Sequence, residues 1–243
     1  MIPVTRTSLP SVDLRLIHTS DIHLGDPYGH PASILALQKV VNAVGDQEPD
    51  YLLLSGDVFD NQRIDDEVIR YFLDEISRAQ VPSIVLPGNH DLMNDTSIYS
   101  RVIFDHSPEN LYVFREPTGQ LISFKHIDFW GKAMNEHSPS FRPVEGMPDA
   151  SPGKWLVSMA HGHFEEKTTC SGRSSLIFPE DVSSQNCDYL ALGHWDVHTD
   201  ISQGGVIAVY SGCPMGIGGG SGSVTAVELS LASGVSYRQI HLN

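Results

Sequence analysis

This chain has little cysteine, few basic residues and no long apolar run, and each shortage removes a class of protein. Cys170, Cys187 and Cys213 are odd in number and widely spaced, which argues against a disulfide framework. No stretch approaches the roughly 20 uninterrupted apolar residues that a membrane-spanning helix needs. The opening segment MIPVTRTSLPSVDL lacks the charged, then apolar, then small-residue order of a secretory signal. These features lead us to expect a soluble, cytoplasmic protein. Lys and Arg total 15 against 30 Asp and Glu, a formal net charge of −15. That excess repels polyanions, so nucleic acid is disfavoured as a partner of the isolated chain, whose surface has too few cations to neutralise phosphates.

What is present is enough for one well-buried core: 243 residues, 40% of them hydrophobic. We expect residues 1–13 to be an extension and 14–243 a single domain. Apolar runs recur, and five of them end alike. Leu14 to His18 leads into TSDIH, Tyr51 to Leu54 into SGDVFD, Ser83 to Leu86 into PGNHD, Trp155 to Ala160 into HGHF, and Tyr189 to Leu192 into GHWDVH. Short runs rich in Val, Ile, Leu and Tyr, bounded by Gly, Pro, Asn or Asp, read as buried strands.

Helical patterns lie between the first three runs. In PASILALQKVVNAVG, Ile34, Leu37, Val41 and Val44 share a face, with Pro31 at the start and Gly45 as the stop. In DDEVIRYFLDEISRA, Val68, Ile69, Phe72, Leu73 and Ile76 form the stripe, and Asp65, Asp66 and Glu67 sit at the favourable end of the helix dipole. Strand and helix in alternation imply a parallel sheet with right-handed crossovers. From Leu111 onward, LYVF, QLISFKHIDFWGKAM, GVIAVYSG, SVTAVELS and GVSYRQIHL predict a second, mixed or antiparallel sheet packed on the first. Asn135 to Gly153 reads as a long surface loop. GIGGGSG, residues 216–222, lacks the Lys-Ser/Thr pair of a phosphate cradle and reads as a flexible loop.

In parallel sheets, ligands collect beyond the carboxyl ends of the strands. Five strand ends here carry Asp21, His23, Asp57, Asp60, Asn89, His90, Asp91, His161, His163, His194, Asp196 and His198. One such ending is ordinary turn chemistry, but five with the same donor types are not. Asp, His and Asn without Cys suit Mn²⁺, Fe²⁺ or Zn²⁺. Asp21 and His23 are two residues apart, so an extended segment turns both to one side, and the same holds for His194, Asp196 and His198. A single Asp can bridge two cations, and Asp57 on a central strand is the natural candidate. Two cations roughly 3.5–4 Å apart form the clamp used for in-line displacement at phosphorus.

SDIH, GDVFD, GNHD, HGH and GHWD, in this order and spacing, resemble the five signature blocks of the calcineurin-like metallophosphoesterases, from about Leu14 to the carboxyl terminus. The resemblance implies a four-layer α/β/β/α sandwich, two mixed sheets flanked by helices, with two divalent cations. It implies Asp21, His23, Asp57 and the residue two after His194 for one cation, and Asp57, Asn89, His161 and His194 for the other. It places His90 beside the phosphate, with Asp91 orienting it. The last block departs from the family's Gly-His-any-His, because Asp196 stands fourth and His198 two further on. Either Asp196 supplies a carboxylate or a local bulge brings in His198; the spacing favours Asp196. HTSDIHLG, GDVFDNQR and YSGCP resemble the DNA-repair exonuclease branch, the SbcD-type nucleases. Against carrying nuclease activity over stand the acidic balance and the lack of sequence matching the DNA-capping region of fuller nucleases.

The expected reaction is hydrolysis of a phosphoester, in particular a phosphodiester, by in-line attack of a hydroxide that two cations, Mn²⁺ foremost, generate between them. His90 would stabilise charge on the phosphoryl group or protonate the leaving group. Arg63, six residues after Asp57, can reach a substrate phosphate, although a solvent-facing helix-entry arginine is the plainer reading. His163 can line the pocket, and Phe164 and Trp195 can stack on a base or belong to the core. His18, His30, His106, His126, His137 and His241 receive no role. A phosphomonoesterase, an exonuclease core that borrows its DNA surface from a partner subunit, and a metal-binding scaffold are the alternatives. A homo-oligomer is equally open.

Overall fold

The structure is a computed structural model and describes residues 8–28, 30–166, 172–217 and 221–242. Most of the 1–13 extension, Cys170 and the centre of GIGGGSG lie outside the described residues. Strands β1 (Leu14–Thr19), β2 (Tyr51–Ser55), β3 (Ser83–Leu86) and β4 (Leu111–Val113) run parallel. Helices α1 (Ser33–Gln47) and α2 (Asp66–Ala79) make the first two crossovers. A second sheet follows, with β5 (Gln120–Ser123), β6 (Ile127–Gly131) and β7 (Trp155–His161). The short pair β8 (His163–Phe164) and β9 (Leu176–Ile177) and the small helix α3 (Pro179–Ser183) lead on to β10 (Tyr189–Gly193), β11 (Thr199–Asp200) and β12 (Ile207–Tyr210). The order in this sheet is β11-β12-β10-β7-β6-β5, parallel at its centre and antiparallel at both edges.

Three strands correct one expectation: LYVF supplies β4 at the edge of the first sheet, parallel to β3, and the last two strands also lie outside the second sheet. SVTAVELS and GVSYRQIHL do not join the second sheet. They form a hairpin, β13 (Gly222–Ser230) and β14 (Gly234–Leu242), that extends the first sheet on the far side of β1, with Leu14 opposite Leu229. The reason lies in the alternation of β13. Val224 and Ala226 face the helices, while Val227 and Leu229 face the other sheet, so both faces need cover.

Three apolar layers follow. α1 and α2 pack Leu37, Val41, Phe72 and Ile76 onto Ile17 and Leu54. Leu16, Leu53 and Ile84 meet Phe129, Val157 and Ala191 between the sheets. α2 buries the expected stripe with Val68 only half-buried, and α1 differs from its reading: Ile34 is exposed, and the helix continues through Gly45 until Glu48 turns left-handed at φ 45°. Among the described residues, no long helix covers the outer face of the second sheet. α3 is five residues long, so the stretch read as a surface loop does part of the work. Phe141, Val144 and Ala150 are buried, and Val144 and Ala150 pack with Trp130, Leu156 and Ile177. The helical layer there is thin, yet the two-sheet sandwich stands. Among the described residues no helix is long and apolar enough to cross a membrane.

Removing two buried methyl groups should cost about 2 kcal/mol, whereas a surface loop would lose almost nothing. Val144→Ala is therefore expected to lower the urea midpoint clearly, as followed by circular dichroism.

Candidate metal centre

The carboxyl ends of β1, β2, β3, β7 and β10 gather at one edge of the sandwich, and the chain there leaves its ordinary conformation. Asp21, His23 and Asp57 have φ of 55°, 52° and 52°, and His194 has 107°. Left-handed backbone at a non-glycine residue costs about 1–2 kcal/mol. Two of the other such residues, Glu48 and Gln80, cap helices, so the strain is concentrated where the candidate donors sit. The loops after β1 and β2 run side by side and hold it: Asp21 N–H donates to Gly56 C=O (3.0 Å), His23 N–H to Asp57 C=O (3.0 Å) and Leu24 N–H to Val58 C=O (2.9 Å). Gly56, at φ 93°, lies against the His161 ring so closely that a Cβ there would overlap Nδ1.

Asp91 builds this loop. Its buried carboxylate accepts N–H bonds from Gly88 (2.7 Å), Asp57 (3.2 Å), Val58 (2.9 Å) and Phe59 (3.3 Å), and the Tyr99 hydroxyl at 2.6 Å. His90 is oriented by a different residue. Its Nδ1 donates to the Asp60 carbonyl at 2.7 Å and lies 3.5 Å from Asp60 Oδ1. The role expected of Asp91, orienting His90, therefore falls to Asp60, because Asp91 is spent on the backbone.

The side chains converge on Asp57. Its Oδ2 lies 3.2 Å from His161 Nε2 and 3.9 Å from His23 Nε2. Ligand atoms of Asp57, His161 and His194 lie within 4.8 Å of one another, and so do those of Asp21, His23 and Asp57. Asn89 Oδ1 is 3.0 Å from both His161 Nε2 and His194 Nδ1, and His194 N–H donates to Asp21 Oδ2 at 2.9 Å. Acceptors behind the rings fix which nitrogen faces inward. His161 Nδ1 donates to the Ser55 carbonyl (2.9 Å) and His23 Nδ1 to Asp60 Oδ1 (3.2 Å), which leaves both Nε2 atoms free for the cluster. Buried carboxylate, imidazole and amide oxygen donors arranged this way fit divalent cations.

The site's own side chains polarise one another. Burial opposes a charged His161, but Asp57 beside it prevails and raises its pKa to about 10. Burial would raise Asp57 as well, and His161 outweighs it, holding Asp57 below the usual carboxylate range. Burial lifts Asp21 to about 7, with a further push from Asp57, and takes His194 down to about 3, with His161 adding.

Other expected residues fall elsewhere. The Asp196 side chain is exposed and enters none of the donor groups, while its carbonyl accepts Cys213 N–H at 3.0 Å. His198 is half-buried, its ring 6.1 Å from Tyr237, and it too stays outside them. Arg63 is exposed, with its N–H on Asn61 Oδ1. His163 lies beside His194, ring centroids 5.9 Å apart. Asp60, already among the strand-end candidates, has a supporting place here, and two further neighbours, His30 and His137, were given no role. Asp60 supports His23 and His90. His30, held by Asp26 at 2.8 Å, stacks on His23 at 4.2 Å. The Asp26 to His30 spacing inside the first loop was the available signal. His137, 6.2 Å from His194, comes from the aperiodic loop, where sequence offers none.

A profile described as calcineurin-like phosphoesterase matches residues 14–198. The DNA double-strand break repair protein Mre11 of Nanoarchaeum equitans is 30% identical over 102 residues, 38% of this chain and only 27% of that protein. A protein of Thermus thermophilus superposes with a TM-score of 0.60 at 14% identity, covering 96% of this chain and all of that one. A dimetal phosphatase from Danio rerio gives 0.60 at 10% identity, over 95% of this chain and 99% of the other. An archaeal phosphodiesterase gives 0.54 at 14%, over 94% and 100%. These structural likenesses establish the fold.

A cation bound through His161 Nε2 must displace a proton that Asp57 holds there up to about pH 10. Asp21, raised to about 7, carries a second proton on the acid side. Calorimetric titration of metal into stripped protein, in buffers of different ionisation enthalpy, should show about two protons released near pH 6 and about one near pH 8. Affinity should rise with pH across that interval.

Proposed function

We propose a function from one premise: this chain belongs to the calcineurin-like phosphoesterase family. Membership makes it a metal-dependent hydrolase of phosphoesters, with a dinuclear divalent centre. Our reading is that Asp57 is shared between the two cations, with Asp21 and His23 on one side and Asn89, His161 and His194 on the other. The observation that carries it is the presence of Asp57 in both donor groups, within reach of imidazoles from the loop after β1 and from the end of β7. Bound there, divalent cations, Mn²⁺ by our reading, would polarise the phosphoryl oxygens and acidify water. His90, with Nδ1 committed to the Asp60 carbonyl, has Nε2 left to deliver a proton to the leaving oxygen. Asp60 thereby sets the direction of that transfer.

We read the substrate as a phosphodiester. Asp26 and Asp60 border the site and the chain carries a net −15, a field that opposes a dianionic monoester more than a monoanionic diester. The segment shared with an archaeal DNA double-strand break repair protein supports a second reading, a nuclease core that takes its DNA-binding surface from a partner subunit.

The test is hydrolysis of an aryl phosphate monoester and the matching diester by metal-stripped protein, before and after Mn²⁺ is added. We expect activity to return chiefly on the diester. Chief activity on the monoester would replace this reading with a phosphatase, and no activity with metal bound would leave a scaffold. Asp57→Asn should lose metal at both positions. His90→Ala should keep its metal while turnover falls by about 10²-fold.

A further inference from the structure

Two residues beside His194 that this chemistry does not use are joined by a hydrogen bond whose direction is fixed. Trp195 Nε1 lies 3.0 Å from His163 Nδ1. An indole nitrogen can only donate, so Nδ1 is the acceptor and the ring proton of His163 sits on Nε2. Trp195 is itself held in place. Its ring stacks on the buried Tyr210 at 4.6 Å and 13°, with Phe164 edge-on at 6.5 Å. Tyr210 in turn donates its hydroxyl to the carbonyl of Gly162 at 2.7 Å, the residue between His161 and His163. The backbone that carries His161 is thus tied to the same post that fixes His163.

His163 is half-buried in β8, paired with β9, and its ring stands at 87° to that of His194. A histidine that only filled space would not need a tryptophan N–H aimed at one nitrogen. We infer that Trp195 is a positioning residue that locks His163 as a neutral Nε2–H donor, and that this N–H binds a phosphoryl oxygen of the substrate. The inference rests on the phosphoesterase reading of the site. It adds a source of selectivity: a neutral donor suits the single charge of a diester, because it adds no positive charge to favour a dianion. The carboxylates Asp26 and Asp60 belong to a group with His30, whose ring stacks on His23.

The tautomer can be read without turnover. Long-range proton–nitrogen correlation spectra of the stripped protein and of the Zn²⁺-loaded protein should show His163 protonated at Nε2 alone, and a mixture of tautomers in Trp195→Phe. A wild-type His163 protonated at Nδ1 would overturn the lock. Titrating inorganic phosphate, then an aryl phosphodiester, into the Zn²⁺ form should shift the His163 Nε2–H signal, and an unmoved signal would overturn the substrate contact. In kinetics on the diester, His163→Ala should raise KM by about 10- to 100-fold with little change in kcat, the loss of a hydrogen bond to a charged oxygen. His163→Gln, which keeps an N–H at the same reach, should recover most of it. Trp195→Phe keeps the stack on Tyr210 and should raise KM by about 3- to 10-fold, with no further effect in the His163→Ala background. Additive effects would show that Trp195 does not act through His163. A wild-type protein inactive on both esters would fail the phosphoesterase reading, while the spectra would still decide the tautomer and the phosphate contact.

Discussion

The site depends on a carboxylate that faces away from it. Asp91 is completely buried and gathers four backbone N–H groups and a phenol, and two of those N–H groups belong to Asp57 and Val58. Burial and the nearby charge of Asp57 push its pKa up, while the hydrogen bonds from Tyr99 and the backbone pull it down. The carboxylate is tolerable in that position only because the loop after β2 bends its amides inward, and the loop stays bent because the carboxylate is there. Replace either and the other has no partner in a dry interior, where an unmatched polar group costs about 1–3 kcal/mol or more. Through this exchange, the turn that ends β2 and the turn that ends β3 become one rigid piece.

From that piece the remaining geometry follows. Asp57 can hold φ at 52° because its amide is engaged by Asp91 and its carbonyl by His23 N–H. The side chain then projects toward the second sheet, where His161 arrives from β7 with its Nδ1 on the Ser55 carbonyl of β2. The two sheets are therefore joined at their edge by polar contacts as well as by the apolar layer between them. A centre assembled from both sheets needs that rigidity. Donors on separate layers stay within a few ångströms only if each layer fixes its own ring and carboxylate orientations.

How much of this was legible follows from what sequence patterns encode. The alternation of apolar runs with Asp, His and Asn endings placed Asp21, His23, Asp57, Asn89, His161 and His194 at one edge, because strand polarity alone decides that. The sheet membership of β13 was not readable, since a strand buried on both faces looks the same whichever sheet receives it. The cover provided by residues near Val144 was also hidden, because an irregular segment has no period to betray its inward side chains. Spacing suggested Asp196, but extended-chain parity fails at a residue such as His194, whose φ of 107° turns the chain after β10. That Asp60 and not Asp91 meets the His90 ring was hidden for a similar reason. Which of two carboxylates faces a ring and which faces the backbone is settled by three-dimensional closure, and one-dimensional spacing carries no trace of it.

The acidity of the chain takes on a local meaning at this edge. Asp21, Asp26, Asp57, Asp60 and Asp91 crowd a small volume, and in the stripped protein His161 is the internal cation that partly balances them. Protonated His161 lends stability that is complete below pH 6.5, its unfolded value, and is lost as pH rises through about 10. Asp57, depressed by the same partner, lends stability present above its unfolded value of 3.8 and lost only as pH falls through its lowered folded value. Divalent cations at this edge would act on the same charge imbalance. Held by Asp21, His23, Asp57, His161 and His194, they would bring positive charge where His161 otherwise carries a proton, so the carboxylate crowding would favour metal binding. A surface too acidic to hold a polyanion unaided is thus compatible with phosphoester chemistry, provided that the positive charge needed by the substrate is bound at this edge and not spread over the surface.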